Sequence, residues 1–168
     1  MKKIKTIAIF FGLITLVTIV CIPVKAEDLA ENSFKRSSFF IQKSVYTHHW
    51  KDNFYDNTNL VGLEYRSNNS LLYGISRFQN SFNQKSWYIY AVKIYILREI
   101  YNIKIQSKVT AGIIHGYNDE NGKYNALITK FKTFPILIPS LGLVYKKFEI
   151  DIVPLAHEGY MITTGIKF

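Results

Sequence analysis

Apolar and polar side chains alternate with a period of two along most of the chain beyond residue 38. That period belongs to strands, whose successive side chains point to opposite faces. Phe39, Ile41 and Val45 alternate with Gln42, Ser44 and His48, and Val61, Leu63 and Tyr65 with Gly62, Glu64 and Arg66. Leu71, Tyr73 and Ile75 oppose Gly74 and Ser76; Tyr88, Tyr90, Val92, Ile94 and Ile96 oppose Ala91 and Lys93. Ile103, Ile105, Val109, Ala111 and Ile113 alternate with Lys104, Gln106, Lys108, Thr110 and Gly112. Leu137, Leu141, Leu143 and Tyr145 share a side, as do Phe148, Ile150 and Ile152, and finally Tyr160, Ile162, Thr164, Ile166 and Phe168. Eight strands are predicted, and no stretch after Ala26 carries a helical stripe over three turns. Asn57-Thr58-Asn59, Asn68-Asn69, Asn118 to Gly122 and His157-Glu158-Gly159 supply turn chemistry between them.

Alternation also fits a soluble sandwich, here a secreted binding module. Three features favour an eight-stranded antiparallel transmembrane β-barrel over residues 39–168. The strands run to about ten residues, the apolar side is nearly unbroken, and the other side carries Lys, Gln, Glu, Asp and Arg. The chain also ends on an aromatic strand at Phe168. The apolar parity is expected to face lipid. With eight strands the lumen is filled or holds one small ligand, which excludes a porin.

The N-terminus alters the charge argument. Lys2, Lys3 and Lys5 precede an uncharged run from Thr6 to Val24, and Val24-Lys25-Ala26 fits a cleavage site. Residues 1–26 therefore read as a secretory signal peptide, with a short periplasmic segment at 27–38. A membrane-spanning anchor is the alternative. Cleavage removes four lysines, lowering the net charge from +9 to +5, and removes Cys21, the single cysteine. Much of the case for nucleic acid leaves with the signal; the remaining basic excess suits an anionic lipid surface. No disulfide scaffold, metal site, phosphate loop or cofactor motif is present, and the four histidines are not at ligand spacing.

Several segments, in order, resemble the PagP family of outer-membrane lipid A palmitoyltransferases over residues 55–168. They are Phe78-Gln79-Asn80-Ser81-Phe82-Asn83, Thr110-Ala111-Gly112-Ile113, the run from Phe134 to Tyr145, Ile152-Val153-Pro154 and Ile166-Lys167-Phe168. The prolines are the most specific part, because proline cannot donate to a ladder. The resemblance implies that Pro135, Pro139 and Pro154 border a lateral gate for lipid. It further implies a monomeric barrel in the outer membrane of a Gram-negative cell, with an acyl chain in its lumen. A phospholipid would donate the acyl chain and lipid A, or lipopolysaccharide, would accept it. The floor of the acyl site falls near Ala91 or Val92.

The family's functional trio is a His after the first strand and an adjacent Asp-Ser after the third. Ser81 matches the serine, Asn80 stands where the aspartate is expected, and His48 or His49 supplies the imidazole. Strand parity carried forward from Phe39 points His48 inward and His49 outward, so His48, Asn80 and Ser81 form the expected catalytic set. Imidazole has the right pKa to share a serine proton near neutrality. An amide at position 80 orients the ring without stabilising its charge, so Asn80→Asp is expected to raise the rate. Asp52 and Asp56 are other nearby carboxylates. The region departs from the family elsewhere: residues 27–38 are short, no proline lies in the first strand, and Ile114-His115-Gly116 lacks an arginine. A barrel of the same fold with lost or altered chemistry, lipid-binding, structural or hydrolytic, is the alternative function.

Overall fold

Each of the eight alternating runs forms a strand that hydrogen-bonds to its neighbours in sequence. The computed structural model describes residues 37–50, 56–67, 71–118, 132–155 and 158–168. The expected signal peptide, 1–26, and the segment from 27 as far as residue 36 lie outside the described residues. The strands are β1 (Ser38–His49), β2 (Val61–Arg66), β3 (Leu71–Gln79), β4 (Lys85–Ile100), β5 (Ile103–His115), β6 (Thr133–Tyr145), β7 (Phe148–Pro154) and β8 (Gly159–Lys167). They follow one another round a closed antiparallel barrel, sealed where β1 pairs with β8 from Phe40↔Lys167 to His49↔Gly159. Two-residue turns, Tyr101-Asn102 and Lys146-Lys147, mark the end at which β1 starts and β8 finishes. The longer connections after β1, β3, β5 and β7 gather at the opposite end, here called the mouth.

The wall is apolar outside. Ile41, Val61, Leu63, Ile75, Ile113, Leu137, Leu141, Ile150 and Ile152 are all exposed on it. Tyr46, His48, Trp50 and Tyr160 cluster through ring contacts of 5.0–6.4 Å at the mouth end of the wall. One group of charges turns inward instead, while Lys43 and Arg77 keep the outward parity. Glu64, Arg66, Lys108, Glu149 and Asp151 are at most 3% exposed. A soluble barrel has the reverse arrangement, with charge outside and hydrocarbon inside.

One strand breaks this rule. Along β4 the run Tyr88, Tyr90, Ile94 and Ile96 faces the lumen and is buried, while Trp87, Ile89 and Tyr95 are exposed on the outer wall. β4 is apolar on both faces, so its more hydrophobic parity is not its outward one. Packing decides: Leu72, Tyr88, Tyr90, Ile94, Ile96 and Ile114 form one buried apolar cluster across the lumen. The expected acyl floor shifts with it. Ala91 shares the outward parity of Ile89 and pairs with Tyr73 and Ala111, so it cannot floor the lumen. The Val92 side chain lies outside the described residues.

The interior has two storeys. Towards the short-turn end lies an ion network. Arg66 donates to Glu64 Oε2 at 2.9 Å and to both Glu149 oxygens at 2.6 and 2.9 Å. Lys108 Nζ reaches Glu149 at 2.6 Å and Asp151 at 2.8 Å, and the Arg66 guanidinium lies 3.8 Å from the Phe40 ring centroid. Buried ions tolerate such a place only when each is paired and hydrogen-bonded. Tyr90 and Gln42 cap the network by donating to Glu64 Oε1 at 2.8 and 3.0 Å. Above them Tyr88, Ile114, Phe78, Phe134, Ile136 and Ile138 pack together as the apolar filling of the bore below the mouth. The two tyrosine rings stack at 4.6 Å and lie flat on glycines of the wall. A Cβ at Gly74 would come within 2.3 Å of the Tyr90 ring, and one at Gly112 within 2.7 Å of Tyr88.

Candidate functional site

The site begins with a slip in β1. Up to Ser44 the even-numbered residues face inward: Phe40 is buried, and Ile41 and Val45 are exposed. The pairing with β8 then jumps from Ser44↔Thr163 to Tyr46↔Ile162, leaving Val45 unmatched. Such a bulge reverses the parity of everything beyond it. Val45 and Tyr46 are both exposed, and Thr47 and His49 both become buried. The expectation for His48 is thereby overturned. Its ring points outward and packs against Tyr46, Trp50 and Tyr160.

His49 is the histidine that reaches Ser81. Its Nε2 lies 3.1 Å from Ser81 Oγ, and its Nδ1 lies 2.8 Å from Asp56 Oδ1. The same carboxylate oxygen accepts the His49 backbone N–H at 3.1 Å. With Asp56 accepting at Nδ1, that nitrogen carries the proton and the Nε2 lone pair faces the serine hydroxyl. The His49 side chain is 3% exposed and the Asp56 side chain 60%. Hydrogen bonds from His49 hold the Asp56 carboxyl below the ordinary aspartate range. Serine, imidazole and carboxylate thus stand in the order that makes a serine nucleophilic and keeps its base in the correct tautomer.

Asn80 is not the third member. It is 2% exposed and its amide is committed to the β3–β4 turn. Its Oδ1 accepts from the backbone N–H groups of Phe82 and Gln84 at 2.9 and 3.0 Å. Its Nδ2 donates to Gln84 Oε1 at 3.1 Å and Ser86 Oγ at 3.2 Å. This is an Asx-type turn, and it aims Ser81 across the mouth. Gln84 extends the support to Asn118, whose backbone N–H donates to Gln84 Oε1 at 3.1 Å. On the other side Thr58 fastens the segment that carries Asp56. Its hydroxyl bonds that of Thr47, and its carbonyl accepts from the Gln79 N–H at 2.7 Å. Asp56 was one of two nearby carboxylates in the sequence; its role depends on loop placement, which spacing does not encode. Asp52 lies outside the described residues.

No family model and no curated protein matches the chain. Among solved structures it is similar to the outer membrane protein Ail of Yersinia pestis in a phospholipid bilayer nanodisc. Identity is 14%, the match covers 79% of this chain and 100% of that one, and the TM-score is 0.40.

The prolines lie beside an incomplete ladder. β6 pairs with β5 along its full length, from Thr133↔His115 to Tyr145↔Ile103. With β7 it pairs only from Leu141↔Ile152 to Tyr145↔Phe148. Residues 133–140, which include Pro135 and Pro139, have no ladder partner on the β7 side among the described residues. Pro154 ends β7 opposite Tyr160 on β8. The result is a seam in the mouth half of the wall, beside Ile136 and Ile138 of the bore.

Proposed function

We propose that the chain is an outer-membrane acyltransferase that moves a palmitoyl-type chain from a phospholipid to lipid A. The observation that carries this reading is the Ser81–His49–Asp56 chain of contacts at the mouth of an apolar-walled barrel. The exposed hydrocarbon of the wall suits a bilayer, and the inward-facing charges suit a lumen shielded from it. An acyl chain admitted through the β6–β7 seam would lie against Ile136, Ile138 and Tyr88, with Tyr90 and Glu64 closing the bore beneath it.

The chemistry follows from the tautomer. Ser81 Oγ attacks the ester carbonyl of the donor while His49 Nε2 takes its proton, and Asp56 stabilises the imidazolium. Collapse breaks the ester bond; the proton passes from Nε2 to the departing lysophospholipid oxygen. An acceptor hydroxyl then gives its proton to Nε2 and attacks the acyl-Ser81 ester, and as the ester bond breaks Nε2 returns that proton to Ser81 Oγ. Water in place of the acceptor would yield a free fatty acid, so the same trio also supports hydrolysis. The test supplies labelled phospholipid with and without lipid A to the mature protein in detergent micelles. Labelled lipid A lost in Ser81→Ala and His49→Ala supports transfer. Fatty acid alone makes the protein a hydrolase, and no product with any substrate overturns the catalytic reading.

A further inference from the structure

The short-turn end of the barrel holds a second concave site, far from the mouth and unused by the acyl chemistry. A cavity of about 430 Å³ opens there, with Arg66, Lys104, Lys146 and Lys167 in its lining and Glu99 as its only carboxylate. Arg66 is already matched from behind by Glu64 and Glu149. Lys104 pairs with Glu99 at 3.9 Å. Three lysines therefore face one carboxylate, and Asn102 adds an amide to the same lining.

A tight turn fixes the backbone of Lys146. Lys146 adopts φ +55°, in the left-handed region, at the first position of a two-residue connection. Glycine, asparagine or aspartate fill such positions at less steric cost. Lys146 lines the cavity, and its ammonium lies 5.2 Å from the ring centroid of Tyr145, an exposed residue of the outer wall. Lys167 lines the cavity beside the same turn, its backbone N–H bonded to the Lys147 carbonyl at 2.8 Å. The two lysines come from different strand ends and are fixed by the ladder, so the site is built by the fold rather than by one flexible segment.

We propose that this cavity binds a phosphate-bearing anion at the short-turn face of the barrel. The ammonium groups of Lys104, Lys146 and Lys167 would neutralise the phosphate charge, and Asn102 would donate to one of its oxygens. The same chemistry is offered by an anionic phospholipid headgroup and by soluble phosphate. The inference does not depend on the acyltransferase reading, since it uses neither Ser81 nor its partners.

The test uses the isotopically labelled mature protein in a non-ionic detergent, observing the Asn102 side-chain amide by NMR. One titration adds inorganic phosphate; a second adds short-chain phosphatidylglycerol, with short-chain phosphatidylcholine as the zwitterionic control. Saturable movement of Asn102 is expected, weakening as salt is raised. A response to inorganic phosphate assigns a soluble ligand, and a response to phosphatidylglycerol alone assigns a headgroup. Lys146→Asn keeps a residue suited to the turn and is expected to weaken binding several-fold; Lys146→Asn with Lys167→Gln should weaken it at least tenfold. No saturable response to either probe, an equal response to phosphatidylcholine, or unchanged affinity in the correctly folded double variant would overturn the proposal.

Discussion

The two halves of this barrel are built on opposite terms. Around the short-turn half every strand is laddered to both neighbours, and the lumen is filled by Arg66, Lys108 and three carboxylates that satisfy one another. In the mouth half β6 loses β7, β2 stops at Val61, and the interior polar groups form a short chain that ends on a serine hydroxyl. The lower half fixes the shape, and the proposed function places ligand entry and proton movement in the upper half. Local stability and function separate in the same way in many proteins, with working loops drawn from the less secured regions.

The separation predicts that damage above and damage below have different readouts. Ser81→Ala should have the largest effect, lowering acyl transfer by about 10³-fold or more while unfolding in denaturant changes by less than about 1 kcal/mol. Asp56→Asn should follow it at about 10²–10⁴-fold, because an amide cannot stabilise the imidazolium. His48→Ala should leave the rate near that of the parent, since its ring lies on the outer wall. Comparable losses in His48→Ala and His49→Ala would break the assignment.

Below, Arg66→Leu leaves the buried Glu64 with the neutral donors Tyr90 and Gln42 and Glu149 with Lys108, and should cost about 3–5 kcal/mol of stability. Equilibrium unfolding in detergent measures it, and the comparison fails if Ser81→Ala is equally destabilising. At the seam, replacing Pro135 and Pro139 with valine restores two N–H donors. The double variant should gain thermal stability and lose several-fold in lipid turnover. Unchanged values for both would reduce the prolines to strand-edge residues.

Most of the fold was legible in the sequence because a closed barrel with a one-sided wall writes its pattern in parity. The eight runs match the eight strands, and the largest difference in extent is at β4, which is longer than its alternating core. Parity failed at two places for two physical reasons. β4 packs aromatic rings into the lumen, so hydrophobicity no longer marks the lipid side. β1 carries a bulge at Val45, which leaves composition unchanged and reverses the two histidines. Ser81 was legible from its motif. Asp56 was not singled out, because the fold brings it to His49 through a connection whose path no spacing reveals.

Asn80 gives a smaller test of the same point. The sequence leads one to expect that Asn80→Asp repairs a defective trio, whereas Asp56 already fills the carboxylate position. The substitution should instead remove the donors to Gln84 and Ser86, lower stability by about 1–2 kcal/mol and slow transfer. A faster Asn80→Asp enzyme would reinstate the earlier assignment. The smallest effect is on titration. The Asp56 carboxyl should titrate below its ordinary value of 3.8, and His49→Ala should move it back up. A depressed carboxylate contributes its stabilisation above the ordinary value and loses it as pH falls through the lowered one, and the variant should lack that loss. Carboxyl chemical shifts followed against pH report both.

The seam between β6 and β7 has a consequence for crowding in a membrane. A barrel normally escapes strand-to-strand recruitment because it has no edge, and here, among the described residues, 133–140 have no partner on the β7 side. An incoming strand from a second copy would look there for backbone donors. Pro135 and Pro139 offer none, and their rings obstruct the close approach that a new ladder needs. The unpaired stretch of β6 is therefore a poor template for another chain, and the same two prolines border the proposed lipid seam.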